Sequence, residues 1–159
     1  MTVTLRPVSL GDKPALRTMF DAYLIELAAM VDPRRLQGDP AAYGYFDAYW
    51  QEAARRPFWI LDDGARAGFL LINTHSPSGL GCDHAIAEFC IAPDRRRAGL
   101  GMAAAKAAFG LAAGWWELQV YRANPAGLAF WPRAIAQAKP GDWEILEQAD
   151  RVIHRFRCG

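Results

Sequence analysis

One junction constrains the fold of this chain more than any other. A strand-like run over residues 84–92 passes through Pro93-Asp94 into Arg96-Arg97-Ala98-Gly99-Leu100-Gly101 and opens an alanine-rich helix. A loop that turns directly from strand to helix aims the helix's first N–H groups at one point, and the aligned peptide dipoles add partial positive charge there. Phosphate oxygens fit such a point. Gly99 and Gly101 carry no side chain where a ligand would approach the backbone, and Arg96 and Arg97 can supply charge-assisted hydrogen bonds. Met102 and the alanines behind it keep the next turn narrow. The same residues also read as a bare turn with solvated arginines. They are not a Walker loop, because no Gly-Lys-Ser/Thr follows.

At 159 residues the chain is long enough for one domain, residues 1–159, with its own core. A net charge of +1 excludes nucleic acid as the expected partner, since phosphate-backbone binding leaves a basic excess, so the arginine clusters are local devices. Cys82, Cys90 and Cys158 are too few and too unevenly spaced for a disulfide framework or a zinc site, so no metal is expected and a reducing compartment is. Residues 1–10 have neither a basic lead nor an apolar centre, and no apolar run is long enough for a bilayer. The expected location is therefore the cytoplasm, with no membrane partner.

Periodicity predicts a strand over residues 2–8, then a helix to about Met30 with Asp12 as its cap and Leu16, Met19, Phe20, Tyr23, Leu24 and Leu27 on its inner face. A loop follows over 32–40, with Asp32, Arg34 and Arg35 on the surface, then a second helix over about 46–54. Residues 58–61 and 67–73 flank Asp62-Asp63-Gly64, a hairpin signal. After a loop over 74–83 come the strand 84–92, a helix over 100–113 closed by Gly114, a strand over 116–121, a helix from Asn124-Pro125 to about Ala138, and a hairpin of 143–147 with 151–157.

The run from Glu88 to Gly101 resembles the central motif of the GCN5-related N-acetyltransferase (GNAT) superfamily, in which a strand bearing an acidic residue runs through a proline into Arg/Gln-x-x-Gly-x-Gly/Ala. Asn124-Pro125-Ala126-Gly127-Leu128-Ala129-Phe130-Trp131 is similar to the family's second cofactor segment. Tyr49-Trp50 and Arg56-Pro57-Phe58 further resemble a subgroup of uncharacterised bacterial acetyltransferases, which brings no acceptor with it. The resemblance implies an α/β (α+β) fold: a mixed, mostly antiparallel sheet of six or seven strands with strands 4 and 5 splayed apart, flanked by about four helices. Acetyl-CoA would lie in the splay as acetyl donor. Its pantetheine would run along Phe89, Cys90 and Ile91, and its pyrophosphate on Arg96, Arg97, Ala98, Gly99, Leu100, Gly101 and Met102. Asn124, Gly127, Phe130 and Trp131 would complete the cofactor site. A homodimer through the last strands also fits the family.

Acetyl transfer to a primary amine of a small molecule or peptide needs a neutral amine, a polarised carbonyl and a proton for the departing thiolate. Glu88 stands at the family's strand carboxylate, either as base or as a residue that orients the substrate. A backbone N–H near Cys90 or Ile91 would polarise the carbonyl. Many members protonate the thiolate with a tyrosine seven residues after the asparagine; here that position is Trp131, whose indole has no accessible acidic proton. Tyr121 or water is the replacement, although Tyr121 also reads as a strand-end core aromatic. A covalent route through Cys90 remains open, as does the reading of Cys90 as a small core residue. His75 and His84 read as solvated or as proton shuttles, and His154 as solvent-facing. Tyr43 and Tyr45, in the segment before the second helix, are expected to line the acceptor pocket, while Phe46 and Trp50 pack in the core. The missing tyrosine also leaves a reading as a catalytically idle CoA-binding sensor.

Overall fold

The computed structural model describes residues 1–30, 44–96 and 98–159. Among them, seven strands form one sheet in the order β1-β2-β3-β4-β5-β7-β6. These are β1 (Val3–Pro7), β2 (Arg56–Asp62), β3 (Ala65–Asn73), β4 (His84–Ile91), β5 (Gly114–Tyr121), β6 (Trp143–Glu147) and β7 (Arg151–Cys158). Three α-helices accompany them among the described residues: α1 (Lys13–Met30), α2 (Leu100–Phe109) and α3 (Pro125–Gln137). Neighbouring strands are antiparallel except β4 and β5, which run parallel and pair only at His84↔Trp116 and Ala85↔Glu117 before they diverge. The mixed sheet with a splay between strands 4 and 5 is the architecture that the resemblance implied.

β2 and β3 are apolar on both faces because each face is covered. Alternate residues divide between two cores. Phe58, Ile60, Leu70 and Ile72 pack with Leu100, Ala104 and Ala108 of α2 and with Trp131 and Ile135 of α3. Trp59, Leu61, Phe69 and Leu71 pack with Leu16 and Phe20 of α1 and with Phe46 and Tyr49. The hairpin between β2 and β3 turns at Asp63 (φ +49°) and Gly64 (φ +85°), both in the left-handed region that a two-residue turn demands.

Three local expectations are corrected. The cap at the start of the first helical segment is Ser9, whose Oγ accepts from the Asp12 N–H at 3.3 Å; a 3₁₀ turn over Leu10–Asp12 leads into α1, and the Asp12 carboxylate pairs with Arg66 at 2.9 Å. In place of a second helix stands a 3₁₀ turn, Asp47–Trp50. Phe46 and Tyr49 are pinned in the core there, the Trp50 indole N–H donates to the Val8 carbonyl at 3.0 Å, and Pro57 biases the chain before it toward extended backbone. α2 ends at Phe109 with Gly110 as C-cap, while Gly114 (φ +123°) opens β5.

Near the parallel junction, Glu117 on β5 is fully buried and holds the loop 74–83. Its carboxylate accepts from Ser76 Oγ (2.8 Å), the Ser78 N–H and Oγ (both 2.9 Å) and Arg155 Nη1 (2.8 Å), the residue opposite it on β7. Burial alone would raise its pKa, but the Ser78 and Ser76 donors and Arg155 outweigh it and hold the carboxyl below its ordinary value. His154, expected in solvent, is 2% exposed; its Nδ1 accepts from the Trp143 indole at 3.2 Å, and burial lowers its pKa.

Among the described glycines the tightest approach is at Gly68, where an added Cβ would lie 2.1 Å from the Cys90 carbonyl oxygen. That atom belongs to the ladder and cannot swing away. Gly68→Ala should therefore cost about 3 kcal/mol, the upper end for overpacking, in urea unfolding. Gly64→Ala, which has open space but a positive φ, should cost only about 1 kcal/mol. Equal losses would show that β3 and β4 tolerate a wider spacing.

Candidate functional site

The mouth of the splay is built from the exit of β4. The chain passes from Ile91 through a 3₁₀ turn, Pro93–Arg95, to Gly99 (φ +79°), which caps α2 with no side-chain hydrogen bond. The Ala103 N–H is the first to bond back into the helix, to the Gly99 carbonyl at 3.2 Å, so the N–H groups of Leu100, Gly101 and Met102 precede the helical ladder. Gly101 lies against Phe130, whose ring a Cβ would meet at 3.3 Å.

The Arg96 side chain is spent within the protein. Its Nε donates to the Ile91 carbonyl at 2.8 Å and its two terminal nitrogens fork onto Glu26 of α1 at 2.7 and 3.2 Å. The Glu26 hydrogen bonds raise its pKa further. Arg96 thus braces the loop against α1, which differs from the direct anion contact expected of its guanidinium. Ala98 is exposed, and Arg97 lies outside the described residues.

The open edge of β4 follows from ladder alternation. The Ala92 N–H donates to Ala67 on the β3 side at 2.8 Å, so the Cys90 N–H also faces β3 and those of Phe89 and Ile91 face the gap. An irregularity in the register, with Leu71 opposite Glu88 and Ile72 opposite Ile86, makes Ala87 an extra residue. Beyond the bulge, Glu88 shares the α1 face of the sheet with Cys90, and Phe89 points to the other face.

On the α1 face, the Tyr23 hydroxyl donates to Glu88 Oε2. Nearby, Asn73 Nδ2 donates to the Tyr49 hydroxyl at 3.2 Å, and Asn73 Oδ1 accepts from the His75 N–H at 3.0 Å. Burial raises the Tyr49 pKa, and the charge of Glu88 adds to the shift. Arg55 lies over the rings of Tyr45 (4.9 Å) and Tyr49 (5.7 Å), and Tyr45 is exposed at the rim. Tyr43 falls outside the described residues. Sequence reasoning missed Tyr23 and Asn73: Tyr23 fits the apolar stripe of its helix, and nothing in the sequence marks a partner 65 positions away.

On the opposite face, Phe89, Phe130 and Trp131 form a ring cluster. Phe89 lies 5.9 Å from Phe130 and 5.0 Å from Trp131, and Phe130 lies 4.8 Å from Trp131. Asn124 caps α3: its Oδ1 accepts from the Gly127 N–H at 3.0 Å, and a Cβ on Gly127 would meet the Asn124 amide at 2.7 Å. That oxygen is committed to the helix, so any contact of Asn124 with a cofactor falls to its amide nitrogen. Tyr121 is half-buried at the end of β5, and because Val120 and Leu118 join the α2–α3 core, alternation puts Tyr121 on the α1 face with Glu88.

One sequence reading ends here. Cys90 is buried, its Sγ contacts the Ile91 carbonyl at 3.5 Å, and burial pushes its thiol up to about 11, against a nucleophilic role. His84 is held by the Ala113 carbonyl at 3.2 Å and lies 4.8 Å from the Trp116 ring. His75 is exposed. Among the described residues there is no cluster of metal-ligating side chains, and no helix is long and apolar enough to cross a membrane.

The model of the Acetyltransferase (GNAT) family matches residues 21–135. No curated protein matches the sequence. Among solved structures, an acetyltransferase from Thermus thermophilus is similar with a TM-score of 0.70 at 20% identity, covering 99% of this chain and 97% of that one. A spermidine N-acetyltransferase from Vibrio cholerae, in complex with CoA and spermine, gives 0.59 at 14% identity over 98% and 94%. The ribosomal-protein-S18-alanine N-acetyltransferase from Escherichia coli gives 0.63 at 16% identity over 99% and 95%. These likenesses are likenesses of fold.

The thiol environment is directly testable. Burial raises Cys82 as well as Cys90 from 9.0 to about 11, so at pH 8 their thiolate populations should be about a hundredfold below those of unshifted thiols. Maleimide labelling of the folded protein should be slow at both, and fast in urea. A fast native phase that Cys90→Ser removes would overturn the inert reading of Cys90.

Proposed function

The chain belongs to the acetyltransferase (GNAT) family, and on that premise we propose that it is an N-acetyltransferase, moving the acetyl group of acetyl-CoA to a primary amine of a small molecule or peptide. Attack is direct, with both substrates bound. The observation that carries this reading is the opening of the sheet after two β4–β5 residue pairs, with the first turn of α2 at its mouth and a carboxylate on the α1 face.

Acetyl-CoA, when bound, supplies a thioester carbonyl open to an amine. The N–H groups of Leu100, Gly101 and Met102, with the backbone of Arg96, Ala98 and Gly99, hold its pyrophosphate, a fit supported by the glycine cap that leaves this turn uncovered. The gap-facing edge of Phe89 and Ile91 pairs with the pantetheine, and one of those N–H groups donates to the carbonyl oxygen as it gains charge. Phe130 and Trp131 wall the thiol end, with Asn124 and Gly127 fixing the start of their helix. Glu88 accepts the proton of the acceptor's ammonium, which leaves a lone pair on nitrogen for the attack. Tyr121, on the same face as Glu88, or water returns a proton to the thiolate. Tyr45 borders the acceptor's entrance, and Tyr43 is assigned to acceptor binding on the sequence alone. Three free cysteines fit a reducing cytoplasm, where acetyl-CoA is available.

Trp131 favours one other reading, a CoA-binding sensor without turnover, because its 8% exposed indole offers no proton to a thiolate. Calorimetry and thiol release across a panel of amines, polyamines, aminoglycosides and peptides separate the two: tight CoA binding without turnover anywhere in the panel would favour the sensor. Gly101→Glu, whose Cβ would meet the Phe130 ring at 3.3 Å and whose carboxylate would bring negative charge beside the phosphate turn, should abolish acetyl-CoA binding with the circular dichroism unchanged, and unaltered affinity would refute the cofactor assignment of this turn and ring together. Glu88→Gln should lower kcat by about a hundredfold and remove the acid limb of its pH profile. A retained limb would reduce Glu88 to orienting the substrate.

A further inference from the structure

We infer that Glu26 on α1 is a positioning residue of the acetyl-CoA site: it holds the Arg96 side chain on the exit of β4 and thereby fixes the turn that leads into α2. The inference rests on the reading of that turn as the cofactor's phosphate site. Its basis is a brace that runs through three elements. Arg96 Nη1 and Nη2 donate to the two carboxylate oxygens of Glu26 at 2.7 and 3.2 Å, a fork that sets the plane of the guanidinium as well as its distance. From that plane Nε donates to the Ile91 carbonyl at 2.8 Å.

Ile91 joins the brace to the site. A residue in an antiparallel strand directs its N–H and C=O to the same side. The Ile91 carbonyl therefore faces the gap between β4 and β5 together with its N–H, and Arg96 fills that place on the open edge. Ile91 also packs behind the turn, since a Cβ on Gly101 would lie 3.8 Å from Ile91 Cγ1. The preceding arginine is tied back as well, with Arg95 Nη1 3.6 Å from Asp62 Oδ2 of β2. The connection is thus held to β2 by one guanidinium and to α1 by the other, and a carboxylate of the protein answers the charge of each. What the brace supplies to a phosphate is geometry: the N–H groups of Leu100, Gly101 and Met102 stand in place before the ligand arrives. A turn that keeps its binding geometry for only part of the time binds more weakly in proportion to that fraction. The side chains of Arg96 and Glu26 are 39% and 36% exposed, so the pair adds little to global stability.

A double-mutant cycle on acetyl-CoA affinity, read by calorimetry, tests the path from Glu26 through Arg96. Glu26→Ala should weaken acetyl-CoA binding about fivefold, the upper end for a partly exposed ion pair, with thermal unfolding nearly unchanged. Arg96→Ala should weaken it at least as much, and adding Glu26→Ala to Arg96→Ala should cost nothing more. Unchanged or tighter binding by Glu26→Ala would overturn the inference, tighter binding being what a released guanidinium produces when it reaches the phosphates itself. A further loss in the Arg96→Ala background would overturn it too, because Glu26 would then act without Arg96. A second measurement needs no ligand. The Arg96 Nε–H, identified by NMR as the resonance absent from Arg96→Ala, should exchange slowly with solvent in the native protein and faster in Glu26→Ala; equal exchange would show that Glu26 does not hold it. Gly101→Glu tests the underlying reading separately: unaltered affinity there refutes the cofactor assignment, whereas abolished binding there with unchanged binding by Glu26→Ala refutes only the role of Glu26.

Discussion

Parallel pairing between β4 and β5 lasts for two residue pairs, and the placing of every group at the site depends on where it stops. A strand edge left open inside a sheet presents N–H and C=O groups that must find other partners. Here the edge of Phe89 and Ile91 lies between the first turn of α2 and the ring cluster of Phe89, Phe130 and Trp131. The closed end is secured by Glu117, whose carboxylate joins β5, β7 and the loop 74–83 in one hydrogen-bonded knot. The divergence is thus bounded by a buried polar anchor at one end and a helix cap at the other.

The two faces of β4 divide the chemistry. Phe89 looks toward the α2–α3 side, where small residues on α2 let the helix lie close to the sheet. Glu88 and Cys90 look toward α1, and the bulge at Ala87 produces this assignment without breaking the strand.

The features legible in the sequence are those whose cause is local. Asp63-Gly64 turns the hairpin because a two-residue turn needs positive φ, Asn124-Pro125 starts a helix because the cap and the missing N–H suit its first turn, and Gly99 precedes α2 for the same kind of reason. The remainder depends on partners distant along the chain. Residues 46–54 show helical spacing, yet Val8 and Pro57 hold them to one tight turn. His154 alternates as a surface residue would, but β6 packs Trp143 over it. Arg96 reads as an anion ligand until Glu26, seventy positions earlier, takes its guanidinium. Tyr23 and Asn73 belong to the same class, polar atoms whose use appears only when the chain is folded.

The short β4–β5 junction also divides the sheet into two hydrogen-bonded halves. β2, β3 and β4 follow one another as an antiparallel meander, and β5, β6 and β7 form a second antiparallel unit, so most ladder contacts join strands of the same half. Only two residue pairs of the sheet connect the halves, with α2 as the covalent bridge. Contact between them is carried by the shared core of Phe58, Ile60, Leu70, Trp116, Leu118 and Phe156, not by the ladder. The cleft is therefore also the seam between two hydrogen-bonded units of the sheet, held together across it by side-chain packing.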